Sequence, residues 1–204
     1  QPEAYQKPGC PIIVDLNGDG LITVEDVDMK NVIPSLYWGF GNTFTYKNWD
    51  LDVFIYSQLG VDKYNDVYSW TSGRGLGNQT NNMSVYIKDV WHSELNPNGT
   101  IPGIAYEMAS VSLPGGAGTD IGYENSSFVR VRNITLGYNF KPNQLGALSK
   151  LLSGIRVYVD VQNPFTFTGY TGLDPEVNTG GNYKGGKAEY PQTRTFSLGA
   201  KLSF

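Results

Sequence analysis

Hydrophobic and polar positions alternate along the last stretch of the chain. In RTFSLGAKLSF (194–204), Phe196, Leu198, Ala200, Leu202 and Phe204 fall on one side; Thr195, Ser197, Gly199, Lys201 and Ser203 fall on the other. A period of two predicts a strand with one apolar face. Four further stretches read the same way. In 154–163, Ile155, Val157, Val159 and Val161 oppose Arg156, Tyr158, Asp160 and Gln162. In 48–58, Trp49, Leu51, Val53 and Ile55 oppose Asp50, Asp52, Phe54 and Tyr56. In 36–46, Trp38, Phe40, Phe44 and Tyr46 oppose Gly39, Gly41, Thr43 and Thr45, with Asn42 interrupting the apolar side. In 128–140, Ile134, Leu136, Tyr138 and Phe140 oppose Asn133, Thr135, Gly137 and Asn139. The first residues of that stretch are out of phase, which predicts a bulge or a part standing above a membrane.

Length sharpens this reading. Strands of globular proteins run about 5 to 6 residues, whereas a tilted transmembrane strand needs about 9 to 11. The five stretches are of the longer kind. Their connections alternate between short and long: Lys47 and Asn48, then 59–127, then 141–153, then 164–193. Outer-membrane barrels have short periplasmic turns and long external loops. On that orientation 59–127, 164–193 and the segment 1–35 lie outside. Aromatic residues near strand ends, among them Trp38, Tyr46, Trp49, Tyr138 and Phe204, suit interface girdles, although core packing explains any one of them equally well. The expected class is all-β: about five antiparallel strands over 36–204, belonging to a larger transmembrane barrel. The competing architecture is a large soluble sandwich. Five strands do not close a membrane barrel, whose smallest bacterial forms have about eight. An open edge in lipid leaves backbone groups unpaired, so further barrel strands are expected.

Composition agrees and removes other classes. The chain holds 25 Gly and 14 Tyr in 204 residues, with only 17% charged residues, the profile of a turn-rich β protein. The net charge of −4 is scattered in sign, which gives nucleic acid no basic patch. The single Cys10 excludes an internal disulfide. No apolar run approaches the length of a transmembrane helix. No signal-peptide pattern stands at Gln1, so a leader has been removed or the chain begins partway through a longer product.

One motif carries candidate metal chemistry. Residues 15–26, DLNGDGLITVED, match the ligand spacing of a calcium loop. Asp15, Asn17, Asp19 and Asp26 would give side-chain oxygens and Leu21 a carbonyl; Thr23 would act through water, and Gly20 would allow the sharp turn. Asp26 stands where a bidentate Glu is usual. The preceding PGCPIIV cannot be helical, while 23–32 reads as a helix. The motif is thus half a hand, in one copy, and sensing by two moving helices is not expected. A structural Ca2+ and an Asx-rich turn bonded to its own backbone are the two readings.

Catalytic chemistry is not expected. His92 is the only histidine, with no nucleophile or metal constellation beside it. Asp50 and Asp52 share a strand face and read as solvated. The Gly-rich GRGLGNQTNN (73–82) lacks a phosphate-binding Lys-Ser/Thr. Glycosylation-type triplets at Asn78, Asn82, Asn98, Asn125 and Asn133 are what an Asn-rich chain gives by chance.

Five stretches together are familiar: VDLNGDGLIT, PSLYWGFGNTFTYKNWDLDVFIYSQLG, NSSFVRVRNITLGYNF, RVYVDVQNPFTFTGYTGLDPEV and YPQTRTFSLGAKLSF. In this order they resemble the C-terminal barrel strands of SusC/RagA-type TonB-linked outer-membrane transporters of Bacteroidetes. The resemblance covers nearly the whole chain. It implies one barrel of about 22 strands with an N-terminal plug, capped by a SusD-like surface lipoprotein, importing glycans or peptides with energy from TonB. The plug and the TonB-contacting segment are not among these residues. It also implies that Phe204, ending its apolar stripe, serves as the membrane assembly signal. TGLDPEV (171–177) resembles the family's most recognisable external-loop sequence, in which Asp174 and Glu176 would accept hydrogen bonds from the barrel wall or the lid. Arg130, Arg132, Arg156, Tyr158 and Asp160 would line the upper lumen, most simply as a cross-strand network of opposite charges. The rival function is a soluble, calcium-stapled β-sandwich that binds glycans through Trp70, Trp91 and loop tyrosines.

Overall fold

The structure is a computed structural model and describes residues 8–65, 84–103, 120, 122–177 and 190–204. The chain divides into two compact units. One combines Gln1–Lys30, Lys63–Glu124 and Thr179–Ala188; the other combines Asn31–Asp62, Asn125–Asn178 and Glu189–Phe204. The strands are β1 (Leu36–Tyr46), β2 (Trp49–Leu59), β3 (Asp62–Tyr64), β4 (Tyr123–Asn125), β5 (Phe128–Phe140), β6 (Gly154–Thr168) and β7 (Thr195–Ser203). The short β3 and β4 pair with each other, and the other five form one sheet in the order β1-β2-β5-β6-β7. Every neighbouring pair in it is antiparallel.

Register shows why the alternation in the sequence matters. Phe44, Leu51, Leu136, Val159 and Leu198 make one transverse row across all five strands. The next row, on the opposite face, is Thr43, Asp52, Thr135, Asp160 and Ser197. Asn42 falls opposite Val53 on the apolar side, the one polar member of that face in β1. The apolar row is uncovered: Phe44 is 57% exposed and Leu198 78%. A water-soluble sheet hides such a face under a second layer. Among the described residues the only other sheet is the short β3–β4 pair, so the described strands do not form the sandwich expected as an alternative. Eleven residues of β1, at about 3.4 Å each and tilted by about 40°, rise roughly 28 Å, enough for the apolar band of an outer-membrane barrel.

The phase slip at the start of β5 is a bulge. Phe54 pairs with Asn133 and Ile55 with Val131, which leaves Arg132 unopposed in β2. On its other side Arg132 faces Asn163 and Pro164, since Gln162 pairs with Asn133 and Phe165 with Val131. Asn163 takes φ +49°, a left-handed conformation that Asn tolerates. Pro164 has no N–H to give the ladder. The break therefore runs across three strands at one level. It also explains why β6 continues to Thr168 where alternation alone ends it at Asn163.

In the other unit, residues 15–26 make a tight loop. The helix expected over 23–32 is a single 3-10 turn, Val24–Asp26, capped by Thr23. Trp91 is half-buried. A Cβ added at Gly9 would come within 2.6 Å of its ring, so Gly9 is what lets the indole lie against the backbone. The rival's Trp70, the 73–82 stretch and the triplets at Asn78 and Asn82 lie outside the described residues, as does much of 59–127 and 164–193.

Candidate functional site

The polar face of the sheet carries three charged groupings. The first lies beside the bulge. Arg130 is 1% exposed and is the deepest charged residue described in the sheet. Its Nε donates to Thr166 Oγ1 at 2.9 Å, its Nη1 to Glu176 Oε2 at 2.8 Å and its Nη2 to Asp174 Oδ1 at 2.9 Å. Its guanidinium stands 5.3 Å from the Phe128 ring centroid. The bulge turns Arg132 to the same side as Asn133. Arg132 pairs with the other oxygen of Glu176 and lies 5.3 Å from the Tyr56 ring centroid. Two arginines thus hold one short acidic segment, with Pro175 between its carboxylates.

Asp174 ties that segment at both ends. Its Oδ1 also accepts from the Glu176 amide at 2.9 Å, and its Oδ2 accepts from the Gln192 amide at 3.0 Å. Residues 174–176 and 192 are thereby fixed to each other and to β5. Burial works to raise the Asp174 pKa, but the Glu176 amide, the Arg130 guanidinium and the Gln192 amide outweigh it and hold the carboxyl below its usual 3.8. Charge-assisted hydrogen bonds of this kind are the strong ones.

The second grouping sits toward the short connections. Arg156 pairs with Asp50 and lies 3.9 Å from Asp52. Asn139 Nδ2 donates to Asp50 Oδ1 at 2.5 Å. Gly137 makes this possible: a Cβ there would fall 2.6 Å from the Asp50 carboxylate and 2.7 Å from the Arg156 guanidinium. The third grouping is Asp160, whose Oδ1 accepts from Asn133 Nδ2 at 2.6 Å and from Thr135 Oγ1 at 2.7 Å. Asp160 makes no ion pair among the described residues. The polar face thus separates the candidates. Arg130, Arg132, Asp174 and Glu176 meet; Arg156 pairs elsewhere; Asp160 is held by an amide and a hydroxyl. Sequence reading did not single out Thr166, Tyr56 or Gln192. The signal for Gly137 was a glycine inside an otherwise regular strand, which marks a close approach.

The calcium-type loop has oxygen donors of the right kind for a hard cation. In the structure these oxygens bind backbone amides. Asp15 accepts from Gly18 N at 2.7 Å and Gly20 N at 2.8 Å. Asp19 accepts from Leu21 N at 2.7 Å, and Asn17 Oδ1 from Asp19 N at 3.0 Å. Asp26 accepts from Thr23 N at 2.7 Å and Leu16 N at 2.8 Å. The Thr23 amide is the chief reason its pKa is lowered. Gly20, at φ +84°, makes the sharp turn. Among the described residues no three His, Cys, Asp or Glu side chains converge on a metal position, and as arranged the loop's carboxylates are hydrogen-bonded to its own backbone. His92 has a similar local role: its Nδ1 accepts from the Glu94 and Leu95 amides at 3.2 and 3.1 Å. Phe204 is exposed, and its carbonyl accepts from Ser153 Oγ at 3.3 Å.

No known family's sequence profile matches the chain. Individual proteins do. It is 31% identical over 206 residues to TonB-dependent receptor P3 of Formosa agariphila, covering 97% of this chain and 19% of that protein. It is 33% identical over 208 residues to TonB-dependent receptor SusC of Bacteroides thetaiotaomicron, covering 99% of this chain and 19% of the receptor. The chain therefore spans about a fifth of the length of these relatives. Among solved structures, the RagAB peptide importer in its closed-closed state matches with a TM-score of 0.65 and 25% identity, over 86% of this chain and 18% of that one. The names are those of receptors and importers, not of enzymes. A five-stranded antiparallel sheet with an apolar outer face and a charged inner one is a piece of such a barrel. The chain corresponds to the C-terminal barrel region of the SusC/RagA-type TonB-dependent receptors of the outer membrane.

Proposed function

We propose that this chain is barrel wall and loop support in a TonB-dependent importer that takes up glycans or peptides together with a SusD-like lipoprotein. The observation that carries this is the sheet itself, with long strands, an uncovered apolar face and a polar face whose arginines pair with carboxylates. Among the described residues both sheet edges, β1 and β7, pair on one side only. Edges of this kind are not stable in lipid, so further strands of the same barrel would flank them, and a plug would fill the lumen beside Arg156 and Asp160. The clip at Asp174 and Glu176 would set the base of an external loop for the lid or the cargo. Likeness to the RagAB peptide importer supports the peptide side of this reading; kinship to the receptor SusC supports the transporter class. The test is deletion of the full-length gene, with growth measured on single glycans and on peptide mixtures. Loss of growth on one nutrient class, and a lipoprotein that copurifies with the tagged receptor, is the expected result. Unchanged growth on every such nutrient with no copurifying lipoprotein overturns it.

For the loop Asp15–Asp26 we propose a weak structural calcium site. Calcium there has to displace amides from Asp15, Asp19 and Asp26, and Asp26 is too short to reach as a Glu does. The expected dissociation constant is therefore in the range of extracellular modules, about 10⁻⁴ to 10⁻³ M. Calorimetric titration of the full-length receptor measures it. Asp26→Ala is expected to abolish the binding, and a micromolar constant would show that the loop reorganises into a closed cage.

A further inference from the structure

The two short connections lie at one end of the five-stranded sheet and are tied together. Asn48 Nδ2 donates to Gln144 Oε1 at 2.7 Å, the Lys141 amide donates to the same oxygen at 3.0 Å, and Gln144 Nε2 donates to the Tyr138 hydroxyl at 3.2 Å. This joins the Lys47–Asn48 turn and the 141–153 connection into one rim. The rim is basic only. Lys47, Lys141 and Lys150 lie in it, and no Asp or Glu does. Of the 19 acidic residues, those in the five-stranded sheet are Asp50, Asp52 and Asp160, all on the polar face, and the rest lie outside the short connections. Among the described residues no ion pair engages the three lysines.

The same rim also carries exposed apolar side chains. Leu148 is 53% exposed and Leu151 68%, flanking Lys150 in a short turn that water alone would not favour. Tyr46, on the apolar face, carries the Lys47 ammonium 5.2 Å from its ring centroid. That contact holds the charge on the lipid side of the rim. The surface is continuous with the apolar face through Tyr46, Trp49 and Tyr138, which share a row.

We propose that this rim is a docking surface for anionic phospholipid headgroups, with Leu148 and Leu151 seated among the acyl chains and Lys47, Lys141 and Lys150 around the phosphates. Exposed leucines beside uncompensated lysines are the pattern of a surface lying in a membrane interface. A basic residue near an anionic lipid surface is worth about a fivefold preference. The inference rests on the reading of the sheet as barrel wall, with its short connections toward the periplasm and so toward the phospholipid leaflet.

The test uses the full-length receptor in nanodiscs of phosphatidylethanolamine holding a fixed minority of phosphatidylglycerol. Lipids retained on mild detergent extraction are counted by mass spectrometry. Phosphatidylglycerol is expected to be enriched about fivefold or more over its bulk share. The triple variant Lys47→Gln, Lys141→Gln, Lys150→Gln should bring it back to the bulk share while the barrel still assembles. Equal enrichment in wild type and variant, or none in either, overturns the proposal. A separate Lys150→Cys receptor carrying Cys10→Ser, compared with the Cys10→Ser parent as its blank, is labelled in intact cells with a membrane-impermeant maleimide. Labelling from outside would overturn the orientation itself. Labelling only after permeabilisation, with no lipid enrichment, overturns the headgroup site alone.

Discussion

Replacing Arg130 by Met is expected to free the connection between β6 and β7 from the sheet. Arg130 is the deepest side chain of the cluster, and its loss leaves Asp174 with no arginine and Glu176 with only the partly exposed Arg132. Breaking a buried ion pair from one side costs about 3 to 5 kcal/mol, because the remaining charge stays buried and unpaired. The cost falls on the docking of residues 174–176 and 192, since no strand pairing depends on Arg130's side chain. Limited proteolysis of the full-length receptor reads this directly: cleavage within 164–193 should rise by about 150- to 5,000-fold, in step with the open population. Arg132→Gln should do far less, because Arg132 is partly exposed and Glu176 keeps Arg130. Asp174 also gives the clip a pH dependence. Its pKa is lowered in the folded state, so its contribution is complete above the ordinary value of 3.8 and is lost as pH falls through the lowered one. Acid should therefore open the wild-type loop, and an Asp174→Asn receptor should already be open at neutral pH. Cleavage rates unchanged in Arg130→Met would mean that the loop is held by contacts other than this cluster.

Period-two alternation made β1, β2, β7 and β5 beyond its bulge legible, because each of these stretches keeps one apolar face against one environment. β6 was legible only as far as Asn163. Beyond it Pro164 reads as a breaker, and only the paired strand shows that the bulge opposite Arg132 lets the ladder resume at Phe165. The phase slip in β5 was visible, but the residue that absorbs it was not, since a slip in one sequence fits several registers. The partners of the charges were the least visible part. Arg130 and Asp174 are 44 residues apart and Arg156 and Asp50 are 106 apart. No local rule links residues that far apart, and only strand order β2-β5-β6 and a folded-back connection bring them together. The calcium-type loop is the reverse case. Its residues are local, so the motif reads at once, yet the direction of each carboxylate depends on backbone turns that the spacing does not specify.

Val159→Arg should be the most damaging single change on the sheet's outer face. Val159 lies near the middle of the apolar row with Leu51, Leu136 and Leu198, and in the barrel that row faces hydrocarbon. An arginine at the midplane costs about 2 to 4 kcal/mol. Its long stem lets the head rise toward an interface only from positions nearer the rim. The informative control is one strand away. Ser197 pairs with Asp160 on the polar face, so Ser197→Arg enters a wet wall beside a carboxylate that has no ion-pair partner among the described residues. It should change stability by no more than about 0.5 kcal/mol. Both variants add the same side chain at neighbouring positions in the sheet, so their difference measures the face and little else. In the full-length receptor, the heat-modifiable folded band and the urea midpoint should fall for Val159→Arg and hold for Ser197→Arg. If both variants assembled equally well, the apolar face would be wet or adaptable. If Ser197→Arg alone failed, the lumen would lie on the Val159 side, and the assignment of wall and lipid surfaces would have to be exchanged.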